Sequence, residues 1–206
     1  MRKIILSILI ISLIGIYSCG KDETAPKVML KGESALDHVL NTEYVEAGYV
    51  ALDNEDGDIT ANVTVSSLDI NKAGEQILTY SVTDTEGNEG KETRKITVYN
   101  EANYLNGFWS GEYMFPYPGG NTEEYYEEIN ASDAVNMDII FHHIGDNSNS
   151  DIIATVSGNN ILFEDQTVDG KAFSVSNSVI ENNNTRITVE YTLDGQKGIL
   201  VLAKNN

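Results

Sequence analysis

Four acidic residues in one short loop are the first candidates for chemistry in this sequence. They are Asp53, Glu55, Asp56 and Asp58. They surround Gly57, and hard cations such as Ca²⁺ prefer carboxylate oxygens grouped around a tight turn. The spacing is not that of an EF-hand, which needs a bidentate Glu at position 12, where this chain has Thr64. The loop is therefore a weak candidate for calcium, and the alternative is a solvated turn with Asx-type hydrogen bonds.

Aromatic side chains between residues 104 and 126 are the second kind of candidate. Aromatic rings stack on sugar faces or line an apolar cavity. The candidate ligand-binding residues are Trp109, Tyr113, Tyr117, Tyr125 and Tyr126. The alternative is that Trp109 and Tyr113, with Phe108 and Phe115, form core. Tyr125 and Tyr126 are adjacent, so in a strand their rings face opposite sides.

Catalytic arrangements are missing from the sequence. His142 and His143 are adjacent, so in a strand they point apart and cannot form one metal site alone. No His-x-x-x-His, Gly-x-Ser-x-Gly or phosphate-binding glycine loop occurs. Glu123-Glu124 and Glu127-Glu128 lie near aromatics, but in so acidic a chain they indicate a solvated face. We predict no enzymatic activity and no cofactor.

The amino terminus predicts export and lipid attachment. Residues 1–18 combine a basic start with an apolar run too short to span a bilayer, as in a signal peptide. Ile16-Tyr17-Ser18-Cys19 resembles a lipobox, which implies acylation of Cys19 and a lipidated tether over residues 19–25. Cys19 is the chain's only cysteine, which excludes an intramolecular disulfide.

The charge of the chain limits its partners. The net charge of −19 makes nucleic acid an unsuitable partner. Lys21, Asp22 and Glu23 follow the cysteine and resemble the export signal of Bacteroidota surface lipoproteins. The resemblance implies a lipid anchor in the outer membrane, with the chain facing the cell exterior.

Residues 26–100 have the pattern of a small β-sandwich. Leu78, Tyr80 and Val82 alternate with polar residues, as do Arg94, Ile96 and Val98, of which Ile96 and Val98 are the expected core members. A turn cluster at 84–88 separates these two strands. Several segments, among them Glu46-Ala47-Gly48, residues 51–60 and residues 79–84, resemble the bacterial immunoglobulin-like domain also found in the Cry22Aa pesticidal protein. Such domains act as spacers or adhesive modules.

Residues 101–206 have the pattern of an antiparallel up-and-down β-barrel. Strands are expected at 108–115, 136–142, 151–156, 161–163, 172–180, 186–193 and 198–203. Asp169-Gly170 and Asp194-Gly195 predict tight hairpins. Gly107-Phe108-Trp109 is similar to the Gly-x-Trp signature on the first strand of calycins, in which the tryptophan packs across the closed end of the barrel. The expected fold is all-β, an immunoglobulin-like sandwich followed by a calycin-like barrel.

This order of parts resembles lipoproteins from Bacteroidota polysaccharide-uptake loci. The resemblance implies a non-catalytic surface protein that captures glycan for an outer-membrane uptake complex. Two alternatives stay open: a calyx that binds lipid or another apolar ligand, and a structural or adhesive protein without a small ligand. An open aromatic shelf would favour glycan, an enclosed apolar pocket would favour lipid, and a filled barrel would favour the structural role.

Overall fold

A computed structural model describes residues 20–144 and 150–205. The predicted signal peptide and Cys19 lie outside this range. The described chain is all-β, and its only helical turns are two short 3₁₀ segments, Thr60–Asn62 and Glu101–Leu105. Within these residues no helix is long and apolar enough to cross a membrane.

Two facing sheets form the first domain, as the immunoglobulin-like pattern predicts. Its strands are β1 (Lys27–Leu30), β2 (Ala35–Val39), β3 (Tyr49–Leu52), β4 (Thr64–Val65), β5 (Gly74–Thr83) and β6 (Glu89–Tyr99). One sheet pairs β1 with β3, and the other has the order β2-β6-β5-β4, with β2 parallel to β6. The alternating residues Leu78, Tyr80 and Val82 are all buried, which confirms the predicted face of β5.

A buried arginine in this first core pairs with a partly exposed carboxylate. Arg94 shares the inward face of β6 with Ile96 and Val98 and is fully buried, although its charge made the other two the expected core members. Its guanidinium lies 3.2 Å from the Glu46 carboxylate and donates to the Lys31 carbonyl at 2.7 Å. Pairing and hydrogen bonds are what make a buried charge tolerable. Parity along the strand therefore decided the position of Arg94. Glu46 and Lys31 satisfy its charge in part, because Nε and Nη1 make no hydrogen bond to the described residues.

The second domain is a curled sheet of nine antiparallel strands. They are β7 (Gly107–Met114), β8 (Thr122–Ala131), β9 (Asp138–Phe141), β10 (Ile152–Ser157), β11 (Asn160–Phe163), β12 (Gln166–Val168), β13 (Lys171–Glu181), β14 (Arg186–Leu193) and β15 (Gln196–Lys204). The order β11-β10-β9-β8-β7-β15-β14-β13-β12 is an up-and-down meander in which the last strand pairs with the first. The strand prediction omitted β8 and β12. Asp169-Gly170 and Asp194-Gly195 form the predicted tight turns, with positive φ at all four residues.

The two edges of this sheet meet along β13. β12 pairs with the first residues of β13, and β11 lies beside its second half. There the Ile180 N–H donates to the Asn159 carbonyl at 2.7 Å, and the Ser178 hydroxyl bonds to both backbone groups of Ile161. A side chain thus bridges strands where the backbone ladder is interrupted. The sheet is a barrel in outline, with a seam between β11 and β13.

A 3₁₀ helix covers one end of the barrel. Trp109 is fully buried, and its indole N–H donates to the Leu105 carbonyl at the end of Glu101–Leu105. The Lys204 ammonium lies 5.7 Å from the centre of the Trp109 ring, within cation–π range. The tryptophan therefore joins the first and last strands of the barrel to this helix.

Asn100 joins the two domains. Its side chain is 1% exposed, and its Nδ2 lies 2.9–3.0 Å from three carbonyl oxygens of segment 132–138. Its Oδ1 accepts the N–H groups of Ala102 and Met137 at 2.8 and 2.9 Å. Asn41 makes a second link, because it accepts the Asn136 N–H at 2.7 Å. The barrel is thus held to the first domain through specific hydrogen bonds at its closed end.

Candidate functional site

The predicted ligand-binding aromatics separate into inward and outward groups. Trp109 and Tyr125 are 0% and 4% exposed, so their rings belong to the barrel core. Tyr113 is partly buried and contacts Tyr125 inside the barrel, with ring centres 5.8 Å apart. Tyr126 is 69% exposed on the outer face, as the opposite parity of neighbouring strand residues requires. Tyr117 is 41% exposed on the loop between β7 and β8, at the end of the barrel away from the 3₁₀ helix.

Aliphatic and aromatic side chains pack the barrel interior. A chain of five rings runs through it, with centres 5.5–6.2 Å apart between neighbours. In order these rings are Phe141, Phe163, Phe173, Tyr191 and Phe115. Such spacing is that of packed aromatic pairs. An apolar ligand could enter this interior only by displacing rings that already contact one another.

Glu127 is an acidic side chain inside the same barrel, 1% exposed. Its Oε1 accepts the N–H groups of His142 and His143 at 2.7 and 3.0 Å, and of Glu128 at 3.1 Å. Its Oε2 lies 2.6 Å from the Tyr125 hydroxyl, which also bonds to the His143 carbonyl. A phenol has one proton to donate, so an ionised Glu127 leaves one of these two acceptors without a hydrogen.

A protonated Glu127 completes that chain of hydrogen bonds, because it donates to Tyr125 and Tyr125 then donates to His143. Burial raises the pKa of the Glu127 carboxyl, and this outweighs the opposing effect of its hydrogen bonds. These hydrogen bonds attach His142 and His143, which follow β9, to strand β8. We interpret it as a structural element of the barrel.

A trough on the outer face of the barrel is lined by exposed polar and aromatic side chains. The strand register places Arg186, Ala203, Ser110 and Tyr126 in one row across β14, β15, β7 and β8. Small Ala203 and Ser110 lie in the middle, and long Arg186 and Tyr126 lie at the two ends. Because neighbouring strands are about 4.8 Å apart, the row spans about 14 Å. We call this row and its adjoining side chains the outer trough.

Two adjoining hollows make up the outer trough, and both include Ser110, Gly111 and Glu112. The hollow on the β15 side has a volume of 410 Å³ and the one on the β8 side 260 Å³. Gly111 permits the close approach of β7 and β15 beneath the trough, because a Cβ there would lie 1.8 Å from the Val201 carbonyl oxygen of β15. The larger volume falls within the usual range of small-ligand sites, about 300–1,000 Å³.

The side chains of the outer trough are mostly polar and solvent-accessible. The exposed polar residues that line the hollows are Glu112, Glu124, Asn182, Thr185 and Arg186. Phe108 is 65% exposed on the same face, diagonally across from Tyr126. The expectation that Phe108 is core is therefore wrong, because it follows the outward parity of β7. The trough thus has rings that can stack and groups that can hydrogen-bond.

The sequence could not indicate most of this site. Ser110, Arg186 and Ala203 are far apart along the chain, and nothing in their local sequence marks them. Only the pairing of β14, β15, β7 and β8 brings them to one row. Among the predicted ligand residues, Tyr126 is the one that this row includes.

The acidic loop of the first domain forms hydrogen-bonded turns. Asp53 Oδ1 accepts the N–H groups of Glu55 and Asp56 at 2.9 Å, and Asp58 Oδ1 accepts that of Thr60 at 3.0 Å. Asp56 binds the next turn through the Thr85 N–H and hydroxyl, both at 2.8 Å. The contacts of Asp53 and Asp58 are Asx-type turn contacts, whereas those of Asp56 join two turns. The four proposed calcium ligands do not form a common cluster in the described chain, where a different acidic group does.

The three residues of the predicted export signal differ in their exposure to solvent. Lys21 and Glu23 are exposed, whereas Asp22 is 6% exposed and contacts the first domain. Its Oδ1 accepts the Thr24 N–H at 2.9 Å, and its carbonyl accepts the Asn88 amide at 3.0 Å. The chain is therefore attached to the domain three residues after Cys19.

The match to a family model concerns the first domain. Residues 28–98 match the family model of the bacterial surface protein Ig-like domain. Comparison with curated proteins found no match. Among solved structures, a lipoprotein from Bacteroides thetaiotaomicron aligns with 87% of this chain and 100% of its own, at 19% identity and a TM-score of 0.43.

A second solved structure contains the CBM51-2 and INT domains of ZmpB from Clostridium perfringens, in complex with GlcNAc. It aligns with 86% of this chain and 43% of its own, at 20% identity and a TM-score of 0.30. This chain therefore spans less than half the length of that protein. Residues 28–98 are similar to the Ig-like domain of bacterial surface proteins, and the two-sheet fold of this part of the chain agrees with that match.

Proposed function

We propose that this chain is a non-catalytic, lipid-anchored surface protein that binds glycan in the outer trough of its barrel. The observation that carries the proposal is the row Arg186, Ala203, Ser110 and Tyr126, in which an exposed ring adjoins a polar trough with a small-residue floor. A sugar ring presents C–H groups on its faces and hydroxyls at its edge. It therefore needs a ring to stack on and planar polar groups beside it.

The length and charge of the trough narrow the class of glycan. A span of about 14 Å accommodates two or three sugar units. Glu112 and Glu124 line the trough and Arg186 lies at one end, so carboxylates outnumber cations. Neutral glycans are expected to bind better than uronic acid-rich ones, because like charges in a shared site repel.

The lipid anchor and the hydrogen bonds between the two domains would hold this trough away from the membrane. Lipid on Cys19 would hold the chain in the outer membrane, and Lys21, Asp22 and Glu23 would direct it to the exterior. Several acyl chains are needed for stable anchoring, since a single myristoyl chain binds with only about 10⁴ M⁻¹. The Ig-like domain would act as a spacer, with an outer-membrane uptake complex as the partner. Membrane fractionation of a Cys19→Ser variant tests the anchor, and recovery of that variant with the membranes would contradict it.

The alternative of a lipid calyx has less support. The five-ring chain and the buried Glu127 occupy the space that an acyl chain would need. A filled barrel is compatible with a purely structural role, and the outer trough is the feature that favours glycan over it.

Substitution of Tyr126 tests the proposal. Residues 20–206 would be screened by affinity electrophoresis against purified neutral and acidic polysaccharides, and the best binder measured by calorimetry. Tyr126→Ala should weaken binding about tenfold, since loss of one stacking contact costs about 1.4 kcal/mol. Ala203→Trp should abolish binding by filling the trough. Tyr117→Ala is the matched control, because Tyr117 is also exposed but lies at the far end of the barrel.

Three outcomes would count against the proposal. Binding that is lost in Tyr117→Ala but kept in Tyr126→Ala would move the site to the far end. Absence of binding across the panel, with acyl chains found by mass spectrometry, would favour the lipid alternative. Absence of both would favour the structural role.

A further inference from the structure

A group of three carboxylates lies where the amino-terminal segment meets the first domain. Asp22 comes from that segment, and Asp84 and Glu86 come from the turn between β5 and β6. One carboxylate oxygen of each residue lies within 4.8 Å of the other two. Asp22 and Asp84 are only 6% and 8% exposed. None of the ion pairs found among residues 20–144 and 150–205 involves these three side chains.

Asp22 provides an independent indication of a missing ligand. Its Oδ1 accepts the Thr24 N–H at 2.9 Å and the Asn54 amide at 3.4 Å. Its Oδ2 is buried and has no hydrogen-bond partner within the part of the chain that the structure describes. An unpartnered oxygen of a buried carboxylate is costly, and two further carboxylates beside it increase that cost. A bound cation would remove both penalties.

Neighbouring residues hold the carboxylates in place. Asn88 donates its backbone N–H to Asp84 Oδ1 and its amide to Asp84 Oδ2, both at 2.7 Å. The same amide donates to the Asp22 carbonyl at 3.0 Å. These contacts fix both oxygens of the Asp84 carboxylate in position.

We propose that Asp22, Asp84 and Glu86 form a Ca²⁺ site. Calcium takes six to eight oxygen ligands in flexible geometry, and an all-oxygen, anionic site suits it. The Asn54 side chain can add a fourth protein oxygen, since the amide orientation is assigned from the hydrogen-bond network. Water would complete the shell. Three carboxylates on turns are expected to give the affinity of extracellular calcium modules, a Kd of about 10⁻⁴–10⁻³ M.

This site would make the tether calcium-dependent. Asp22 is the only ligand outside the domain, and it is three residues from the predicted lipid on Cys19. Bound calcium would fix residues 20–24 to the domain and stiffen the link between anchor and barrel. Without calcium, repulsion among the carboxylates would favour release of that segment.

Thermal unfolding of residues 20–206 tests the site. About 5 mM CaCl₂, at ionic strength matched with NaCl, should raise the Tm by roughly 5–10 °C. Asp22→Asn and Glu86→Gln should each abolish most of this shift. Asp22→Asn should also raise the Tm in chelator, because it relieves repulsion, whereas loss of a merely structural residue would lower it. Glu55→Gln is the matched control, an exposed acid on the neighbouring loop.

Hydrogen exchange gives a second measurement that does not depend on the variants. Calcium should slow exchange in residues 20–24 of the unmodified chain. No Tm shift and no change in exchange at about 10 mM calcium would overturn the proposal. A shift that persists in both Asp22→Asn and Glu86→Gln, or that Glu55→Gln removes, would place the ion elsewhere and overturn it as well.

Discussion

Replacement of Asn100 by Asp should destabilise the fold only slightly at low pH and strongly at neutral pH. The Asn100 amide nitrogen lies 2.9–3.0 Å from three carbonyl oxygens, so an Asp would place an oxygen against them. Its other oxygen would still accept the N–H groups of Ala102 and Met137. A protonated Asp can donate one hydrogen to those carbonyls, whereas an ionised Asp can donate none. The pKa of this Asp should therefore lie well above its usual value of about 3.9.

The sign of the effect follows from that raised pKa. A carboxyl with a raised pKa in the folded state stabilises below its unfolded pKa and loses that contribution as the pH rises. Each pH unit between the unfolded and the folded pKa costs about 1.4 kcal/mol. Between pH 5 and pH 8 the free energy of unfolding of Asn100→Asp should therefore fall by up to about 4 kcal/mol. Asn100→Ala instead loses donor and acceptor together, at a pH-independent cost of about 3–5 kcal/mol.

The order of stability of the two variants should therefore reverse between low and high pH. In urea unfolding of residues 20–206, Asn100→Asp should be the more stable variant at pH 5 and the less stable at pH 8. Asn103→Asp is the matched control, because Asn103 is an exposed asparagine on the 3₁₀ helix that Asn100 caps. The same order of the two Asn100 variants at both pH values would refute the assigned hydrogen-bond geometry.

Two further predictions concern the barrel interior. Gly198→Ala should destabilise the barrel by about 1–3 kcal/mol, because a Cβ there would lie 2.3 Å from the Tyr191 ring, and calorimetry should show a lower Tm. Glu127→Gln should flatten the pH dependence of barrel stability in the range above the ordinary pKa of a glutamate, about 4.3. The pKa of Glu127 is raised by burial, so its contribution is present at low pH and is lost as the pH rises, whereas Gln has no charge to bury.

Each of these has a result that would contradict it. An unchanged Tm in Gly198→Ala would mean that the Tyr191 ring does not rest on β15. Parallel pH profiles for the unmodified chain and Glu127→Gln would show that Glu127 does not titrate in that range. A profile that falls towards low pH only in the unmodified chain would mean that its pKa is lowered.

Local patterns in the sequence were sufficient for much of the fold. Alternation placed Leu78, Tyr80 and Val82 on one buried face, because side chains of a strand point to opposite sides with a period of two. Asp194-Gly195 predicted a hairpin, because both turn positions need positive φ. Short connections between successive strands favoured an up-and-down order, which the sheet has.

The strand β8 shows where local patterns failed. Its sequence is rich in Glu, which is depleted in strands, and its inward face includes Glu127. Burial of that acid depends on N–H groups of His142 and His143, which are remote in sequence. No local rule can supply those donors, so the sequence alone predicts a solvated face for this segment.

The sequence by itself determined the strand periodicity, the hairpin turns and the position of the only cysteine, because each depends on residues close together along the chain. The tertiary structure alone decided which side chains share a surface. Tyr126, Ser110, Ala203 and Arg186 form one row only through the register of four strands. Asp22 meets Asp84 and Glu86 only because the amino-terminal segment lies against a turn some sixty residues away. Register and docking are set by long-range packing and hydrogen bonding, which no local window of the sequence contains.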